Sequence, residues 1–334
     1  MTGVQADSFT QALDHFRAVP AHFARYDIGL DAAARVLAVQ RHRVAELAAQ
    51  GLPHAGAPGD GLLFDYNDVV NLAMFGSRTG ESIPELALRF LLRFAATPAA
   101  SWYEPRQWLV RVRTPQPPCG LQAATAARVT IQPPDATAPG VEALQSDGDV
   151  GGPPVQAPGY QIAVRLTGRA DTVRSRQARS AFQVMVEALG SGEVAYQAVA
   201  EALRMEQDRA WQLGMADCVV VARLLAARLR QAGLRARARR GYLLGLIGSD
   251  HAWCELHEDG RWKPLDVVFA YLAGSGAKAR HLEVVPEFTA ACCGSRFNRL
   301  LPYACGEARA LVHFDGQAAP AWALAGVSAH PWGP

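Results

Sequence analysis

The stretch GMADCVVVARLLAARLRQAGLRARARRG, residues 214–241, decides the reading of this chain. Its central run, VVVARLLAARLRQAG, is apolar on most faces, which predicts a buried and rigid helix. Asp217-Cys218 stands at the front of that helix, and Gly233 predicts its end. LRARARRGYLLGL then alternates and predicts a strand. A thiol in the first turn of a helix has a physical advantage. The backbone N–H groups and the helix dipole favour the thiolate. The same N–H groups can hold the oxyanion of a tetrahedral intermediate. Cys218 is therefore a candidate nucleophile.

The segment SDHAWCELHEDGRWKPLDVVF, residues 249–269, reads as a β-hairpin. HAWCELH alternates, Asp259-Gly260 is a hairpin-turn dipeptide, and RWKPLDVVF returns. A two-residue turn there places Glu258 opposite Arg261 and Asp266 opposite Trp253. His251 lies two residues from Trp253 on the same face. His251 and Asp266 then become diagonal neighbours, near enough for an imidazole–carboxylate contact. A three-residue turn would put them on opposite faces, so the expectation depends on the turn. Cys218, His251 and Asp266 together supply a nucleophile, a base and a carboxylate that fixes the imidazole. Taken singly, each has an ordinary structural role open to it: core thiol, strand histidine, turn aspartate.

Composition narrows the classes. The chain has 334 residues, half of them apolar and 19% charged, so a packed core is available and wholesale disorder is excluded. A net charge of +2 is too small to argue for nucleic acid or an anionic membrane. The basic residues are almost all arginine, with lysine only at 263 and 278, so arginine clusters read as a compositional habit. The cysteines, at 119, 218, 254, 292, 293 and 305, show no disulfide-framework spacing. MTGVQADSFTQALDHF lacks the apolar centre of a signal peptide, and no run of eighteen apolar residues occurs. The expectation is a cytoplasmic protein with reduced thiols and no membrane span. Cys254 and His257 have C-x-x-H spacing, with Cys292-Cys293 later. Residues three apart on a strand point to opposite faces, so no metal site is expected, nor any cofactor.

Along the chain, residues 1–97 form a helical N-terminal domain. Within it GLDAAARVLA, RHRVAELAAQG, NDVVNLAMFG and SIPELALRFLLRFAA predict four helices, with a turn-rich excursion LPHAGAPGDGLLFDY between the second and third. Residues 98–159 are a connection with strands QWLVRVR and ARVTIQ, ending in a Pro/Gly-rich stretch, 132–159, read as a flexible linker. Residues 160–334 form the catalytic domain. There GYQIAVRLTG predicts a strand, and SAFQVMVEALG and AYQAVAEALRMEQDRAWQLG predict helices.

The order Asp217-Cys218, then His251-Ala252-Trp253-x-Glu255, then Trp262-x-x-x-Asp266 resembles the transglutaminase-like superfamily of cysteine enzymes. The resemblance covers under a fifth of the chain. It implies an α+β, papain-like fold, in which a helix carrying the cysteine packs on an antiparallel sheet carrying histidine and aspartate. It also implies that Cys218 attacks an amide, ester or thioester carbonyl, that His251 moves the proton, and that Asp266 orients His251. An amine or water then resolves the thioester. The reading is acyl transfer, with amide formation on a small-molecule or carrier-bound donor in a bacterial biosynthetic pathway; a cysteine peptidase or amidase is the alternative. Trp253 and Trp211 are candidate substrate-binding residues, each with core packing as its rival role.

The stretch LDAAARVLAVQRHRVAELAAQGLP, a turn-rich wing, and LFDYNDVVNLA resemble the winged helix of the excisionase and MerR type. That resemblance implies a second helix, carrying Arg41, His42 and Arg43, of the kind that reads DNA. Residues 25–95 carry seven arginines against eight acids, a net of −1, which argues against strong DNA binding. Docking of a carrier or partner protein is the competing role. A DNA-binding regulator with a non-catalytic C-terminal domain is the remaining alternative.

Overall fold

The hairpin at residues 250–265 fixes the frame on which everything else is hung. In the computed structural model of the protein, Asp259 and Gly260 both have positive φ, 53° and 74°, as a two-residue type I′ turn requires. Glu258 faces Arg261, His257 faces Trp262 and Cys254 faces Leu265, the register expected from the sequence. The structure describes residues 3–57, 61–76, 83–113, 129–146, 155–156, 159–245, 250–280, 286–303, 306–319 and 326–331. Cys119 and Cys305 lie outside the described residues, as do parts of the Pro/Gly-rich stretch.

Four antiparallel strands form the central sheet, in the order Arg261–Leu265, Asp250–Glu258, Ala236–Leu243, Leu300–Pro302. Its neighbours explain the odd sequence ARARR. Ala236 and Ala238 join the core beneath the helix Cys218–Gln231, where small side chains let the two elements approach. Arg237 and Arg239 alternate to the other face and pair with Glu255 and Asp135. Gly241 has a steric cause: a Cβ there would stand 2.2 Å from the Leu301 carbonyl oxygen of the adjoining strand.

The helix Cys218–Gln231 buries nine of its residues, Leu225 and Ala226 completely. The helices Arg176–Ser191 and Val267–Arg280 complete the core around it. Beyond the central sheet, Tyr242, Leu244, Leu301 and Tyr303 enter a second core. That core is closed by a sheet of Gly326–Pro331, Arg106–Arg113, Gly159–Leu166 and Val141–Ser146 and by a smaller one built on Val129–Ile131 and Val312–Phe314. The protein is thus a mixed α/β molecule.

Several expectations are changed here. The stretch 132–159, read as a flexible linker, contributes the strand Val141–Ser146, paired with Gly159–Leu166. Asp135 in the same stretch donates its N–H to the Pro302 carbonyl and accepts from Arg239. Polar anchors hold this segment where large apolar residues are lacking. Residues 195–214 are not one long helix. Ala195-Tyr196 pairs in parallel with Met215-Ala216, and only short helices, Glu201–Arg204 and Gln207–Gln212, lie between. The return strand of the hairpin stops at Leu265, and Val267 begins a helix.

In the N-terminal part the four helices are Leu30–Leu37, Arg41–Ala49, Tyr66–Gly76 and Ile83–Ala95. A further helix, Gly3–Leu13, and a small hairpin of Tyr26–Gly29 with Leu63–Asp65 accompany them. The first three of the four share one core with Phe9, Phe16 and Phe64. The fourth packs instead on Val267–Arg280, and its Leu91, Phe94 and Ala95 belong to the core behind Cys218.

Candidate active site

Cys218 opens its helix with Asp217 as N-cap, in extended backbone conformation. Asp217 Oδ1 accepts from the N–H groups of Val219 and Val220, each at 3.0 Å. This corrects part of the oxyanion expectation: two of the first-turn N–H groups are committed to the cap. Cys218 itself is 8% exposed, so it sits at the edge of the core rather than inside it.

His251 lies on the central strand Asp250–Glu258, opposite Gly241. Its Nε2 and Asp266 Oδ2 are 2.7 Å apart, and both residues are buried. Phe269 stacks on the imidazole with ring centroids 4.5 Å apart. Burial opposes protonation of His251. The Asp266 carboxylate, together with a hydrogen bond and charge interaction with Cys218, outweighs it and raises the imidazole to about 10. Cys218 and Asp266 thus both interact with one imidazole.

Asp266 has a second task. It ends the strand Arg261–Leu265, and its Oδ1 accepts from the Phe269 N–H at 3.0 Å, capping the next helix. Its own N–H donates to the Cys292 carbonyl. One carboxylate thus holds both the imidazole and the helix whose Phe269 covers that imidazole.

The two tryptophans occupy different settings. Trp253 is 1% exposed, and its indole N–H donates to Glu255 at 3.2 Å, so it backs His251 from within the core. Trp211 is half-buried on the helix Gln207–Gln212, with the Arg228 guanidinium over its ring at 5.4 Å. Cys254 is buried, while His257 packs on Trp262, so the C-x-x-H pair is divided between faces. Among the described residues no group of three His, Cys, Asp or Glu side chains converges as a metal site, and the four described cysteines are free thiols.

Sequence reasoning missed Tyr196. Burial and the nearby charges of Cys218, Asp217 and Asp266 push its phenol well up, so its hydroxyl keeps its proton beside the thiol. It also missed a buried run of ion pairs. Asp217 Oδ2 meets Arg204, which meets Glu201, which meets Arg240, which meets Asp250, with contacts of 2.5–2.9 Å. The available signal was the Arg239-Arg240 pair inside a strand that must be buried.

Residues 160–267, which span Cys218, His251 and Asp266, match the family model of the transglutaminase-like superfamily. This part of the chain is similar to a superfamily whose members are usually cysteine enzymes, and the match supports cysteine-based catalysis in general. Two solved structures are similar in part. A chain from Cytophaga hutchinsonii, described as a candidate cysteine protease, shares 13% identity; 69% of this chain and 92% of that one are covered, with a TM-score of 0.39. A structure described as a TGase shares 12% identity over 40% of this chain and 46% of its own, with a TM-score of 0.20. Comparison with curated proteins finds no match. Among the described residues, no helix is long and apolar enough to cross a membrane.

Proposed function

We propose that Cys218, His251 and Asp266 carry out acyl transfer through a thioester acyl-enzyme. The observation that carries this is the contact of His251 with both Asp266, at 2.7 Å, and Cys218, at the first turn of a buried helix. The Cys218 thiolate attacks the carbonyl carbon of an acyl donor and a tetrahedral oxyanion forms. The Tyr196 hydroxyl is a donor for that oxyanion. His251 gives its proton to the leaving group, the C–X bond breaks, and a thioester remains. His251, now neutral, takes a proton from the incoming amine or water. The second tetrahedral intermediate collapses and returns the thiolate. Asp266 holds the ring orientation and balances the imidazolium throughout.

Amide formation on a small or carrier-bound donor, as in bacterial biosynthesis, is the reading adopted, and hydrolysis is its rival within the same chemistry. The N-terminal unit is assigned to docking a carrier or partner. On its Arg41–Ala49 helix, Arg41 pairs with Asp31 and Arg43 with Glu46, so two of the three residues expected to read DNA are already engaged. The test incubates the protein with a panel of acyl thioesters and activated esters, with and without primary amines. Intact-mass detection of an acyl adduct on Cys218, absent in Cys218→Ser, supports the mechanism. Amide rather than free acid as the product supports transfer. No adduct with any donor, together with alkylation of Cys218 no faster than that of the other thiols, sinks it.

A further inference from the structure

The two halves of the site stand on different elements, a helix and a strand, and something must set their spacing. Asp217 caps the nucleophile helix, and Asp250 directly precedes His251. Between them runs one continuous chain of charge. Asp217 Oδ2 accepts from Arg204 Nε at 2.5 Å. Arg204 donates to Glu201 Oε2 at 2.6 Å. Arg240 donates to both Glu201 oxygens, at 2.9 and 3.3 Å, and twice to Asp250 Oδ2, at 2.6 and 3.1 Å. Side-chain exposure nowhere exceeds 16% along this chain, so water screens it weakly.

We propose that Arg204, Glu201, Arg240 and Asp250 are positioning residues that tie the Cys218 helix to the His251 strand, and that Arg204 also sets the charge seen by the Cys218 thiolate. The proposal rests on the reading of Cys218 as nucleophile. Its electrostatic part follows from placement. Asp217 brings a carboxylate next to the thiol, which opposes a second negative charge there. Arg204 sits on that carboxylate and cancels it. The charged and titratable groups around Cys218 are then Asp217 at the cap of its helix, Arg204 on the short helix Glu201–Arg204, Tyr196, His251 and Asp266. Glu201 stands on the far side of Arg204 and pulls in the opposite sense.

A purely mechanical tie and an electrostatic one differ in sign. The experiment is site-resolved alkylation of the full-length protein with iodoacetamide from pH 5 to 10, read by mass spectrometry. The other cysteines serve as internal references, and thermal melts are recorded beside it. Arg204→Gln removes a positive charge and should move the Cys218 midpoint up by about 1 on the pH scale. Arg204→Lys keeps the charge and should hold it near wild type. Glu201→Gln removes a negative charge and should move it down, by less. Opposite movements support the proposal. Movement in one common direction, or none, overturns it, whatever the melts show. Should Arg204→Gln not fold, Glu201→Gln and Asp250→Asn must both lower the midpoint, and a rise or no change in either overturns it. His251→Ala separates this from the parent reading. If it leaves Cys218 alkylation unchanged, the catalytic reading fails, while opposite signs in the arginine and glutamate variants would still uphold the charge relation.

Discussion

Replacing Asp266 by Asn tests the central pair most directly, because the asparagine keeps much of what Asp266 does structurally. It can still accept from the Phe269 N–H, so the helix cap survives. It can still contact His251, but it carries no charge. Two unit charges about 4 Å apart interact by about 4 kcal/mol at an effective dielectric of about 20. Burial of both groups returns part of that. A net of about 2 kcal/mol is left to support the imidazolium, equivalent to about 1.5 on the pH scale. The His251 midpoint, followed by its imidazole NMR signals, should therefore lie about 1.5 lower on the pH scale in Asp266→Asn than in wild type. Asp266→Ala should show the same displacement and in addition melt lower, since a lost cap costs about 1 kcal/mol. A stability signature accompanies it. His251 is raised from 6.5 to about 10, so its contribution is fully present below pH 6.5 and is lost as the pH rises towards 10. Wild-type melting temperature should fall across that window, and the fall should flatten in Asp266→Asn. An unchanged His251 midpoint in a folded Asp266→Asn protein would refute the reasoning, because the carboxylate would then not be the source of the imidazolium's stability.

Other outcomes follow from the same structure. Asp217→Ala should destabilise by about 2 kcal/mol in urea melts, combining the lost cap with a buried guanidinium that keeps Glu201 but loses its second carboxylate. Gly241→Ala should cost more than about 2 kcal/mol, because its Cβ would meet the Leu301 carbonyl; Gly260→Ala, with positive φ and open space, should cost about 1 kcal/mol and leave Cys218 reactivity untouched. Asp68 is raised to about 7 by burial, against a hydrogen bond from the Val19 N–H and with Asp65 nearby. Its contribution to stability is therefore fully present below pH 3.8 and is lost as the pH rises to about 7, and the decline of melting temperature between pH 4 and 7 should shrink in Asp68→Asn.

The site was readable where local rules are strong. The Asp259-Gly260 turn fixes a register by counting, and that register alone carries His251 towards Asp266. The apolar run behind Cys218 fixes a buried helix. Counting failed where one residue serves two elements: Asp266 ends a strand and caps a helix, so VVF looked like more strand. The segment 195–214 failed because its amphipathic pattern outvoted two residues of parallel pairing, which no local window reveals. The ion chain failed for another reason. In a sequence so rich in arginine, Arg204 and Arg240 look like surface habit, and only the three-dimensional arrangement shows that they are matched to Glu201, Asp217 and Asp250. Residues 132–146 resembled a linker because their anchors are polar and long-range, Asp135 to Arg239 across 104 positions.

The order in which the sheets are strung has a temporal consequence. Leu300–Pro302 borders the strand that faces His251, and Gly326–Pro331 pairs with Arg106–Arg113, more than two hundred residues earlier. Neither layer is complete until its latest-made strand arrives. During synthesis the N-terminal helices can settle early on their own core, whereas Cys218 and His251 must wait, half assembled, for the later strands. Such long loops to close predict slow refolding. They also predict that Cys218 reaches its final surroundings only in the last phase of folding.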